Sequence, residues 1–182
     1  AKYVFDATPD LREQLYALHQ VAPDGEDRLD GVFLTHAHMG HYTGLMHFGR
    51  EATSTHGMPV YAMPRLHDFL AKNGPWNQLV RLENIRLVEL ADGLPVRLAE
   101  QLVVTPFLVP HRDEYSETVG FRIDGPGKSA VFIPDIDKWA MWDVVIRDLV
   151  KTVDYAGVVA TFFRAGDLGG GVLSTITHPG GS

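Results

Sequence analysis

No cysteine occurs among the 182 residues. Disulfides, thiolate metal sites and cysteine nucleophiles are therefore excluded. Any metal ion has to be held by histidine and carboxylate. A chain of this kind is compatible with a reducing compartment, and a cytoplasmic location is the expectation. Long apolar runs are also missing. None approaches the ~18–20 residues of a membrane span, so no membrane partner is expected. Basic patches are absent too. The 16 Lys and Arg against 23 Asp and Glu give a net charge of −7, which argues against a nucleic-acid backbone as partner. A small-molecule substrate is the expected partner, and nothing in the sequence sets an oligomeric state. The first residues, Ala1-Lys2-Tyr3-Val4-Phe5-Asp6, show neither an initiator methionine nor a signal-peptide pattern. The chain is expected to be a processed or excised piece whose true start lies upstream.

What is present is ordinary for a folded domain: 45% hydrophobic and 21% charged residues. One domain over residues 1–182 is expected, with a Gly-rich, loosely packed tail from about 165 to 182. Tyr3-Val4-Phe5 reads as a strand. Thr8 as N-cap and Pro9 at the first helical position open a helix with Leu11, Leu15 and Leu18 inward. Gly31 to Thr35 reads as a buried strand. Residues 42–52 have helical spacing, with Leu45, Phe48 and Met46 inward. A strand at Val60-Tyr61-Ala62 precedes helices at Pro64–Lys72 and Trp76–Arg81. Strands follow at Ile85–Leu90, Leu102–Val109, Thr118–Ile123 and Ala130–Ile133, separated by Gly/Pro/Asp turns. Trp139–Val150 returns to helical spacing, and Val153–Phe163 holds another buried strand. The result is a mixed α/β chain rich in sheet.

Chemistry concentrates in Thr35-His36-Ala37-His38-Met39-Gly40-His41. Three of the nine histidines fall within six residues, directly after the strand Gly31-Val32-Phe33-Leu34. Neutral imidazole is a good ligand for zinc and its neighbours. His36 and His38 are one residue apart, so in an extended segment both point to one side. Two later positions repeat the layout of a polar residue leaving an apolar run through a proline. His111 follows Phe107-Leu108-Val109-Pro110, and Asp135 follows Val131-Phe132-Ile133-Pro134. Asp135 could also cap the following turn, and Asp137 competes for either role. Asp6 could orient a ligand histidine or serve a turn. Arg112, Asp113, Glu114 and Tyr115 could line a cleft, with a solvated loop as the default. Lys138 and Trp139 are candidates for substrate contact. His19, His47, His56 and His67 lack partners at ligand spacing.

This constellation resembles the metallo-β-lactamase fold superfamily, whose first motif is His-x-His-x-Asp-His. The likeness runs over nearly the whole chain. Its texture is most similar to hydrolases related to coenzyme PQQ synthesis protein B, through Phe5-Asp6-Ala7-Thr8-Pro9-Asp10, His41-Tyr42-Thr43-Gly44-Leu45, Pro110-His111-Arg112-Asp113-Glu114 and Pro134-Asp135-Ile136-Asp137-Lys138-Trp139. The resemblance implies an α+β, four-layer αββα sandwich, with truncation at both termini expected. It implies one or two zinc ions, with iron or manganese as substitutes. His36, His38 and His111 would hold one metal, and His41 with a bridging Asp135 the second. Two departures stand out. The motif's Asp is Gly40 here, which should leave the second site weaker, differently ligated or empty. Only His178 lies downstream of His111, in Thr175-Ile176-Thr177-His178-Pro179. It has three readings: last metal ligand, proton donor by likeness to the tRNase Z branch through Ala160-Thr161-Phe162-Phe163, or no role. The carboxylate that likeness requires two residues before Thr161 is Val159.

Three functions compete on this reading. The first is a metal-dependent hydrolase acting on an ester, lactam or phosphodiester, with Asp135 and His178 as catalytic groups. The second is an iron-dependent oxidoreductase on the same fold. The third is a degenerate member that binds metal without catalysis.

Overall fold

A computed structural model describes residues 1–23 and 28–159. They fall into two compact units. The first comprises residues 1–91 together with 114–117; the second comprises 92–113 and the chain from 118 onward.

The first unit is built on four strands, β1 (Tyr3–Phe5), β2 (Gly31–Phe33), β3 (Met58–Ala62) and β4 (Ile85–Glu89), in the order β1-β2-β3-β4 and all parallel. Parallel neighbours need crossover connections. These are α1 (Leu11–Val21), α2 (Met39–Tyr42) continued by a 3-10 stretch Thr43–Phe48, and the pair α3 (Pro64–Lys72) and α4 (Trp76–Arg81). In-register pairing sorts the side chains by face. Val4, Val32 and Val60 lie side by side and join Leu11, Leu45, Leu66 and Leu70 in one buried cluster. The opposite face carries an aromatic ladder: Phe5 stacks on Phe33 at 5.1 Å, and Phe33 on Tyr61 at 4.2 Å. Because the strands are parallel, β1 and β2 deliver their C-terminal residues to one edge. Asp6 and Thr35-His36 leave side by side there, the usual place for a site in an open α/β sheet.

Several helix expectations need adjustment. Helix α1 begins at Leu11, with Asp10 as its N-cap; Thr8 instead accepts the Asp10 N–H on its hydroxyl at 3.2 Å. Leu15 and Leu18 pack against the core as expected. The helical stretch expected from Tyr42 starts earlier, inside the histidine motif, and tightens to 3-10 geometry. Gly44 explains the tightening. Its N–H donates to the Ala7 carbonyl at 2.9 Å, and a Cβ at this position would collide with the Thr8 carbonyl oxygen. Leu45 and Phe48 are buried, but Met46 faces outward.

The second unit is a five-stranded sheet in the order β5 (Val96–Ala99), β6 (Leu102–Leu108), β7 (Val119–Asp124), β8 (Ser129–Ile133) and β9 (Tyr155–Val158). Pairing is antiparallel up to β8 and parallel between β8 and β9. Strands β6 and β8 both run antiparallel to β7, so their C-terminal ends share one edge. His111 follows β6 there and Asp135 follows β8. Strand β5 has no counterpart in the sequence reading. Strand β9, expected to be buried, is exposed along its length, because among the described residues it pairs only with β8. The helix expected over 139–150 splits into a 3-10 turn Trp139–Met141 and the short α5 (Ile146–Val150). Between them Trp142 is extended. Its indole N–H donates to the Leu108 carbonyl at 3.1 Å and its ring stacks on Phe107 at 5.7 Å, contacts that a continuous helix gives up. The Gly-rich tail and His178 lie outside the described residues.

Candidate metal centre

Asp6 organises the histidine motif. It leaves β1 with φ +62°, a left-handed conformation that Asp tolerates better than most residues. Its N–H donates to the Phe33 carbonyl at 2.8 Å. Its carboxylate, 2% exposed as a residue, turns back across β2. There it accepts the Thr35 N–H at 2.8 Å, the Thr35 hydroxyl at 2.9 Å and His41 Nδ1 at 2.7 Å. Burial pushes the Asp6 carboxyl above its ordinary range, while the bonds from His41 and Thr35 act in the opposite direction. Of the two roles open to Asp6, the structure has it orienting a histidine.

Thr35 carries the next link. Its hydroxyl has a single proton, which goes to Asp6. The same oxygen lies 2.9 Å from His36 Nδ1, so it accepts the Nδ1–H of that ring. His36 is thereby held in the tautomer that leaves a lone pair on Nε2. Fixing a ring this way is how outer residues prepare an imidazole for a metal. His36 is 1% exposed and packs its ring 4.2 Å from that of His41 and 4.5 Å from that of His38. His38 Nδ1 sits 2.8 Å from His36 Nε2, and His38 Nε2 lies 2.9 Å from Glu114 Oε2.

In the second unit, His111 leaves β6 through Pro110 and is nearly buried. Its Nδ1 donates to Asp137 Oδ1 at 2.8 Å, again leaving Nε2 with the lone pair. The Asp137 N–H donates to the Pro110 carbonyl at 2.9 Å, which ties the turn after β8 to the turn after β6. Asp137 therefore takes the orienting role. Trp139 packs against Val109, Val131 and Ile133.

His36 and His38 in the first unit, and His111 and Asp135 in the second, each offer one atom that could hold a metal ion. His41 is not among them. Gly40 is exposed, and a Cβ built there meets nothing within 4 Å. His178 lies outside the described residues. Sequence position alone does not single out Thr35; the signal available is a buried hydroxyl directly before a candidate ligand histidine. Glu114, open in the sequence to a cleft-lining or a solvated-loop reading, pairs with His38.

A family model described as beta-lactamase superfamily domain matches residues 1–179. The chain belongs to the beta-lactamase superfamily. Solved structures agree on the superfamily fold. Zn(2+)-bound PqqB from Methylobacterium extorquens matches with a TM-score of 0.62 and 22% identity, covering 80% of this chain and 52% of that one. A diphosphatase from the PhnP family matches with a TM-score of 0.54 and 22% identity, over the same shares of the two chains. MEM-A1, a subclass B3 metallo-beta-lactamase from a soil metagenome library, matches with a TM-score of 0.51 and 18% identity, covering 82% of this chain and 62% of that one. The chain thus spans about half the length of the first two structures. No curated protein matches. Among the described residues of this superfamily member, no helix is long and apolar enough to cross a membrane.

Proposed function

We propose that this chain is a metal-dependent hydrolase whose His36, His38 and His111 hold one zinc ion, with Asp135 beside them. The donor set these four side chains supply, with the oriented histidines within each unit, carries the reading. The donor chemistry fits: His36 and His111 are each held in the tautomer that presents Nε2, and three histidines leave an open position, as catalytic zinc requires. The PhnP-family diphosphatase and the subclass B3 lactamase among similar structures support a hydrolytic reaction in general terms.

Zinc held there would make water acidic enough to attack at neutral pH and would polarise a carbonyl or phosphoryl oxygen. The chain supplies the rest. Asp135 accepts a hydrogen bond from the attacking water and holds its proton. Thr35 keeps the His36 ring from turning, and Asp137 does the same for His111. His178 is assigned the proton for the leaving group. Gly40 leaves the position next to His41 without a carboxylate, so a second ion at His41 is held weakly or not at all. The substrate is a small molecule with an ester, lactam or phosphodiester bond, and the compartment is the cytoplasm.

Metal analysis of the purified protein, coupled to an ester, lactam and phosphodiester panel, tests this. Stoichiometric zinc with turnover that a chelator abolishes and zinc restores is the expected result. Oxygen uptake by iron-loaded protein, with none by zinc-loaded protein and no hydrolysis, transfers the reading to an iron oxidoreductase. A protein that binds no metal and shows no metal-stimulated turnover rules it out.

A further inference from the structure

We infer that Glu114 is a positioning residue that selects the nitrogen His38 presents to the metal, an assignment that rests on the metal-binding reading above. Thr35 accepts the Nδ1–H of His36, so His36 Nε2 carries a lone pair. Glu114 Oε2 accepts the Nε2–H of His38 at 2.9 Å, because an ionised carboxylate offers no proton. A neutral His38 then has its lone pair on Nδ1. These two lone pairs face each other at 2.8 Å. Such a contact is repulsive unless a cation, either a proton or a metal ion, lies against both nitrogens. Glu114 therefore decides that His38 meets the ion through Nδ1, whereas His36 meets it through Nε2. Without Glu114 the Nε2–H of His38 loses this acceptor.

An exposed carboxylate beside a histidine is usually worth little, but Glu114 is held in place. It opens the segment 114–117, which belongs to the histidine unit although the residues on both sides belong to the other. The three residues after it anchor that segment. Tyr115 packs its ring 5.7 Å from that of Phe69. Ser116, 3% exposed, accepts the Ala37 N–H on Oγ at 2.8 Å, in the middle of the histidine motif. Glu117 accepts the Arg65 N–H at 3.1 Å, at the start of α3. Three successive attachments set the backbone of Glu114 relative to His38, so its carboxylate arrives without the entropy cost of ordering a free loop.

Zinc affinity measured by chelator competition on the full chain tests this with two variants, E114A and E114Q. The expected result is a loss of about 10–100-fold in E114A, the range for removing an outer partner of a ligand histidine. E114Q keeps a carbonyl acceptor for Nε2–H and should recover most of that loss. The visible spectrum of cobalt-loaded protein should change in E114A and be close to wild type in E114Q. Zinc-free E114A should melt with the zinc-free wild type, since Glu114 is about half exposed. Equal zinc affinity in wild type and E114A overturns the assignment. So does an E114Q variant as weak as E114A, which would make the effect one of charge and not of orientation. A wild-type chain that takes up no zinc removes the metal-binding reading itself, and this inference with it.

Discussion

The two units prepare their histidines differently. In the first, parallel strands place Asp6 and Thr35 at adjacent C-terminal ends, and a buried relay from Asp6 through Thr35 fixes His36. The acceptor, the hydroxyl and the ring are all nearly inaccessible. In the second, an antiparallel sheet places His111 beside Asp137, and a single carboxylate, about one-third exposed, fixes the ring. Buried polar groups are costly to leave unpaired, and water readily replaces a partner at the surface. The first arrangement therefore ties histidine geometry to fold stability. The second sets histidine geometry with little bearing on stability.

Asp6→Ala should break this contrast most severely. It strands the Thr35 N–H and hydroxyl in a dry site and removes the partner of the partly exposed His41, with an expected loss of about 3–5 kcal/mol. Denaturant unfolding reads this directly, and zinc affinity should collapse in the same variant. Asp137→Ala is the matched lesion in the second unit. Zinc affinity should fall by about 10–100-fold while the unfolding midpoint of the zinc-free chain hardly moves. A large stability loss in that variant would erase the distinction between the units.

Gly40→Asp sharpens the comparison from within the first unit. The site has room for the side chain, so the variant should fold normally and bind more metal than the wild type, measured as ions per chain. Unchanged metal content would show that Gly40 is not what limits occupancy near His41.

The smallest effect concerns surface charge in the second unit. Lys128 beside Asp154, helped by the Ser129 N–H, holds the Asp154 carboxyl below its ordinary 3.8. A lowered folded value means the ion pair stabilises above the unfolded pKa, and that its contribution fades as pH falls from about 4 through the folded value. Asp154→Asn should slightly flatten acid unfolding in that window and leave neutral-pH zinc affinity unchanged.

Local signals account for much of what the sequence made legible. Helices α3 and α4 have the expected boundaries because Pro64 fits a first helical turn and Asn73-Gly74-Pro75 stops the first of them. Most strands were legible as apolar runs bounded by turn residues. What escaped depends on contacts distant in sequence. Trp142 looked helical by spacing and is extended because Leu108 and Phe107 hold it. Strand β9 looked buried by composition and lies exposed. The candidate ligands His36, His38, His111 and Asp135 could be named from strand ends and motif likeness. The residues that orient them were harder to see. Thr35 looks like a strand residue until Asp6, 29 positions away, is placed beside it. Glu114 lies 76 positions from His38 and has no local signature.

Anomalous diffraction at the zinc edge from crystals grown with zinc tests the central claim most directly. The account predicts a strong peak within bonding distance of His36 Nε2, His38 Nδ1 and His111 Nε2, with Asp135 adjacent and a weaker peak or none at His41. No peak at His36 and His38, or an ion bound through His38 Nε2, would contradict it.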